Sequence, residues 1–160
     1  MYSRILVTLE RSPADESILA HVRKLARHCN ASVVLMHVAD GFGARLADTL
    51  TLRESEEIRE DRAYLEQRRV ELESAGIDAD ALLAAGDPAK EIVQAAEREK
   101  VDLIAMATHG HGLVGDLLHG SVANEVRHRT LIPVLMVRVS PASTAPDPSK
   151  SRPAGGPSPS

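Results

Sequence analysis

Val101-Asp102-Leu103-Ile104-Ala105-Met106-Ala107-Thr108-His109-Gly110-His111-Gly112-Leu113-Val114-Gly115-Asp116-Leu117-Leu118-His119-Gly120-Ser121 is the stretch that decides the fold. Its first six residues are apolar on nearly every position, as in a strand covered on both faces, so Val101 to Met106 is read as a strand. A glycine-rich segment follows, and a helical pattern runs from Gly120 to Thr130. In a strand–loop–helix passage of this kind, glycines bring bare backbone N–H groups up to an anion, because no Cβ stands in the way. The segment therefore reads as a phosphate cradle, with Gly110, Gly120 and Ser121 as its contacts. The plainer reading is a connection in which Ser121 only caps the helix. The two are compatible, since a helix N-terminus attracts anions.

Outward from this stretch the chain alternates strand and helix. Arg4 to Leu9 is a short aliphatic run, and Ser12-Pro13 opens a helix with Ser12 as cap and Pro13 in the first turn. Ile18, Val22, Leu25, Ala26 and Cys29 recur at helical spacing, so this helix buries one face. Ala31 to Val38 is the second strand. From about Leu52 to Ala75 the chain is charged, with Ile58, Leu65 and Leu72 seven residues apart, which predicts a long helix with a narrow buried stripe stopped at Gly76. Ile77 to Ala84 reads as a third strand. Asp87 caps a helix that has Pro88 at its first position, and Ile132 to Arg138 is the fifth strand. Ser140 to Ser160 is rich in Pro and Ser without apolar periodicity and is expected to be a disordered tail, which leaves residues 1–139 as one domain.

Strands alternating with helices predict an α/β fold, an open five-stranded parallel sheet with right-handed crossovers and helices on both faces. Ligands bind such sheets outside the carboxyl ends of the strands, where strand order reverses. Glu10, Ala39, Gly86 and Ala107 all fall just past expected strand ends.

Composition narrows the function. The chain has 160 residues, 43% of them hydrophobic but only 2% aromatic, and a net charge of −4. An aliphatic core suffices for one domain, whereas aromatic stacking platforms and a basic footprint for nucleic acid are missing. One cysteine, Cys29, precludes an internal disulfide. No run approaches the ~20 apolar residues of a membrane span, so a cytoplasmic protein is expected.

These residues together resemble the universal stress protein family over about Tyr2 to Val139. Nucleotide-binding members carry Gly-x2-Gly-x9-Gly-Ser/Thr, matched here by Ala107, Gly110, Gly120 and Ser121. The resemblance also rests on the strand–helix order and the closing strand Ile132-Pro133-Val134-Leu135-Met136-Val137. It implies the Rossmann-like strand order 3-2-1-4-5 and ATP or another adenine nucleotide as ligand. In the site it implies, Met106, Ala107 and Val122 stand beside the glycines, and the backbone of Val38 meets the adenine. Glu10, one methylene longer than the family's aspartate, stands near the ribose. A homodimer paired through the fifth strand is implied as well, which would cover an edge that otherwise invites aggregation. The activity implied is stress signalling by nucleotide occupancy, through an unknown protein partner. The alternative is a nucleotide-free dimer acting through protein contacts.

The first glycine of the motif is Ala107. If this position needs φ > 0, alanine costs about 1 kcal/mol or more; if it needs only a small residue, alanine costs little. There is no Walker loop, and no lysine between Val101 and Ser149. Triphosphate charge is then left to N–H dipoles, Mg²⁺, His111 or Arg127. No base is placed to activate water, so slow hydrolysis at most is expected. His109, His111 and His119 are read as a loop support and two solvent-facing residues rather than a zinc site. His37 is read as a satisfied, partly buried residue, Cys29 as core, and the charged run Glu54 to Arg62 as a solvated helix face.

Overall fold

The computed structural model describes residues 1–39, 56–109 and 117–139. Strand β1 (Arg4–Thr8) lies at the centre of the sheet because its side chains are apolar toward both faces. Ile5 and Val7 join a cluster with Ile18, Leu19 and Val22 of helix α1 (Ala14–Cys29) and with Leu65 and Leu72 of helix α2 (Glu56–Ser74). Leu6, between them, joins Ile92 and Ala96 of helix α3 (Pro88–Arg98) and Val126 of helix α4 (Leu117–Arg129). Alternation with period two thus builds two cores, one per face, and two helices cover each.

The remaining strands are β2 (Ser32–Ala39), β3 (Ala79–Ala85), β4 (Leu103–His109) and β5 (Val134–Val139). Every pairing is parallel, as the alternation of strands and helices predicts, and the order is β3-β2-β1-β4-β5, as the family resemblance implies. The chain reverses direction across the sheet between β1 and β4, so the switch point lies there. The stripe Ile58, Leu65, Leu72 is buried as its spacing requires. Gly76 ends α2 with φ +79, and Asp87 caps α3 by accepting from the Lys90 N–H at 2.8 Å.

Several boundaries differ from the sequence reading; β3 begins at Ala79 and β5 at Val134, each two residues later than expected. Strand β4 begins at Leu103, not Val101, because the Asp102 carboxylate is drawn aside to accept from the backbone N–H groups of Ser3 and Arg4 and from the Ser3 hydroxyl. It then runs through Ala107 to His109, in register with Val137 to Val139 of β5, so Ala107 is within the strand rather than past it. Ala39, likewise, is the last residue of β2. Helix α4 begins at Leu117, so Gly120 and Ser121 stand inside the helix and Ser121 is not its cap. One glycine in a helix costs only ~1 kcal/mol, too little to delay the start. At α1 the capping position is taken by Pro13 in helical geometry, with no side-chain cap; Ser12 instead accepts from Ala14 N–H through its hydroxyl and from Asp15 N–H through its carbonyl. The Ser140–Ser160 tail lies outside the described residues.

Candidate functional site

The carboxyl end of the sheet opens at the switch point. Pairing of β1 with β4 stops at Val7 and Ala105, while β4 stays paired with β5 to His109 and Val139. On the other side β1 stays with β2 through Thr8 and Met36, and the Leu9 N–H reaches the Met36 carbonyl at 2.8 Å. A cleft therefore begins beyond Val7 and Ala105, with Leu9 and Glu10 on one wall and Met106 and Ala107 on the other.

Strand geometry orients backbone groups toward this cleft. The Met36 carbonyl faces β1, so alternation puts the N–H and C=O of Val38 on that same edge, past the last β1–β2 pair. The Ile104 N–H faces β5, where it bonds the Pro133 carbonyl at 3.0 Å, which turns the backbone of Ala107 toward β1. Ala107 is 7% exposed and its φ is not positive. The position is a buried one in extended backbone, and alanine occupies it without strain. Met106 is buried on the opposite face, in the cluster that Val122 packs against, and its N–H and C=O, like those of Ile104, face β5, so it adjoins the cleft without turning a polar group into it. Glu10, just past β1, is half-buried.

Glu10, Val38, Met106 and Ala107 thus gather at one end of the sheet. Gly120 and Val122 follow in α4, with Ser121 exposed beside them. Gly110 and His111 lie outside the described residues, as do the side chains of His109 and His119. Arg127 does not belong to this group. It stands ten residues into α4, about 15 Å along the axis from Leu117, so it is removed as a counter-charge for phosphates at the helix start. Among the described residues no cluster of His, Cys, Asp and Glu is arranged to hold a metal ion.

Beneath Glu10 lies a polar cluster that the sequence did not reveal. Asp15 is fully buried, and its carboxylate accepts from the N–H of Glu10 at 3.0 Å, the N–H of Arg11 at 2.9 Å and the hydroxyl of Tyr64 at 2.6 Å. Arg11 adopts φ +57, a left-handed conformation that costs a non-glycine residue ~1 kcal/mol. Its guanidinium donates to Asp61 at 2.7 Å and to Glu60 at 3.3 Å. Asp61 is 3% exposed, so the run Glu54 to Arg62 is not a wholly solvated face: Glu56, Glu57, Arg59, Glu60 and Arg62 are exposed, but Asp61 turns inward to meet Arg11. His37 Nδ1–H donates to the Leu9 carbonyl at 2.8 Å, and its Nε2 stands 3.7 Å from Asp61. His37 is therefore the satisfied, partly buried residue expected. Two carboxylates spaced for α1 and α2 were visible in the sequence, but nothing in it joins them to residues 10 and 11.

Burial, reinforced by the Asp15 carboxylate, pushes the Tyr64 phenol up to about 12 from 10.0. A group raised on folding stabilises fully below its unfolded value and loses that contribution as pH rises to its folded value. Stability is therefore expected to fall between pH 10 and 12, and Tyr64→Phe to flatten that fall; alkaline denaturation followed by circular dichroism checks it.

An open parallel sheet of order β3-β2-β1-β4-β5, parted beyond Val7 and Ala105 at its switch point and covered by helices on both faces, defines a doubly wound α/β domain. The model of the universal stress protein family matches residues 1–138, and the chain belongs to that family. It is 30% identical over 155 residues to universal stress protein MJ0577 of Methanocaldococcus jannaschii, covering 86% of this chain and 96% of that one. A solved structure of MJ0577 superposes with a TM-score of 0.72 over 89% of this chain and 99% of that chain, also at 30% identity. Two more distant structures share the fold. A universal stress protein in complex with cAMP gives a TM-score of 0.63 at 21% identity, over 87% of this chain and 98% of that one. One from Archaeoglobus fulgidus in complex with dAMP gives 0.64 at 22% identity, over 85% and 98%. Among the described residues no helix is long and apolar enough to cross a membrane.

Proposed function

We propose that this chain binds an adenine nucleotide, ATP among them, in the cleft between β1 and β4, and that occupancy serves as a signal rather than as fuel. The observation that carries this reading is the parting of β1 from β4 beyond Val7 and Ala105, which leaves the motif positions Ala107, Gly120 and Ser121 on the β4–α4 side and Glu10 on the other. Glu10 accepts from a ribose hydroxyl, and the Val38 backbone meets the adenine edge. The main chain of Ala107 runs along the sugar–phosphate, with Met106 next to it in β4. Gly110, Gly120, Ser121 and Val122 surround the phosphates, whose charge is met by N–H dipoles at the start of α4, by Mg²⁺ and by His111. The cAMP and dAMP carried by two family structures support an adenine ligand. Ala107, which needs no positive φ, raises no backbone objection.

The working unit we propose is a cytoplasmic homodimer joined through β5. Val134, Leu135, Met136 and Val137 of this edge strand are all only half-buried in the single chain, and a second copy would cover them. A protein partner that reads the occupied state completes the signal; a ligand biases partner choice only by binding two states unequally. No lysine lies near the phosphates, so hydrolysis is slow at most. Freshly purified protein, with no tryptophan and two tyrosines, is expected to absorb more strongly at 260 nm than at 280 nm through carried-over adenine. A spectrum dominated by tyrosine, unchanged after incubation with ATP and desalting, would favour the nucleotide-free dimer acting through protein contacts.

A further inference from the structure

We propose that Tyr64 and Asp61, both on α2, are positioning residues that hold Glu10 in ligand-binding geometry. This inference rests on the nucleotide-binding reading. The turn that carries Glu10 has its two successive N–H groups, from Glu10 and Arg11, fastened to the Asp15 carboxylate. That carboxylate is in turn fixed by the Tyr64 hydroxyl at 2.6 Å. The Arg11 side chain is fastened separately, to Asp61 at 2.7 Å, which keeps Arg11 in its left-handed conformation. Tyr64 and Asp61 sit three residues apart, on one face of α2, so a single helix grips the turn at two points. A carboxylate recognises a hydroxyl only when its position is fixed in advance, because otherwise the ordering cost offsets the hydrogen bond. The consequence is that a contact between α1, α2 and the β1–α1 turn sets the affinity for the sugar, although Tyr64 and Asp61 do not touch the ligand.

The test uses the full chain and compares ATP with 2′,3′-dideoxy-ATP, both with Mg²⁺, by titration calorimetry. A hydrogen bond to a charged group gives the native protein about a tenfold preference for ATP, and Glu10→Ala, which takes away the acceptor, removes it. Tyr64→Phe and Asp61→Asn are expected to lose that preference while binding the dideoxy ligand within about twofold of the native protein. Arg11→Gly, which relieves the left-handed strain as it cuts the tether, is expected to behave in the same way and guards against loss of folding. A retained preference, or an equal loss for both ligands, overturns the proposal. Amide exchange of Glu10 and Arg11 without nucleotide gives the independent readout, with at least tenfold faster exchange expected in Tyr64→Phe. Unchanged exchange overturns the positioning role. A native protein that binds neither ligand refutes the nucleotide reading instead, and the exchange rates still decide whether α2 holds the turn.

Discussion

Gly120→Val is expected to weaken ATP binding at least ~100-fold, a loss of about 2.7 kcal/mol, while the protein stays folded. Gly120 is the fourth residue of α4, next to the N–H groups of its first turn that have no partner within the helix. A bare Cα there lets phosphate oxygens approach the main chain, and a branched side chain would occupy that space. The variant discriminates well because valine is no worse than glycine in a helix and is slightly better by intrinsic propensity. Loss of ligand cannot then be ascribed to loss of α4. Calorimetric titration of native and variant protein, with melting curves for both, measures the effect.

Asp15→Ala is expected to destabilise the domain by about 3 kcal/mol, lowering the melting temperature on the order of 10 °C. Asp15 is fully buried and satisfies three donors, the N–H groups of Glu10 and Arg11 and the Tyr64 hydroxyl. Removing it leaves all three short of a partner, each costing about 1–3 kcal/mol where water does not replace it. Partial rehydration of the turn keeps the sum toward the lower end. Urea unfolding of native and variant protein gives the difference. A change under 1 kcal/mol would show that water replaces the carboxylate freely and that the turn is not fixed through it.

The sheet was legible because its signals are local. Ile5, Leu6 and Val7 of β1 and Leu103 to Met106 of β4 show the unbroken apolar run that two helical layers demand, and Ile58, Leu65 and Leu72 mark the buried stripe of α2. The strand order came from resemblance to a family, since periodicity alone does not say which strands are neighbours. Boundaries were harder. The start of β4 depends on where Asp102 finds donors, and those are Ser3 and Arg4, at the far end of the sequence. The start of α4 carries no clear mark, because glycine punctuates so many loops, yet the helix includes Gly120.

In the candidate site, Glu10, Val38 and Ala107 were legible as residues near strand ends. The cluster that supports Glu10 was not. Asp61 is one acid in a run of charges, and its partner Arg11 is fifty residues away, so no pattern distinguishes it from the exposed Glu60 beside it. Arg11 gave no warning either, because a left-handed conformation is ordinarily marked by glycine or asparagine. Only the pairing of both residues across α2 and the β1–α1 turn explains why a charged side chain occupies that place.

The most direct test is calorimetric titration of nucleotide-stripped protein with ATP and Mg²⁺, run in parallel on Gly120→Val. Saturable binding at one site per chain, lost in the variant, is the result expected of a nucleotide seated between β1 and β4 at the start of α4. No heat from a folded native protein free of carried-over nucleotide, or equal binding by the variant, would contradict it.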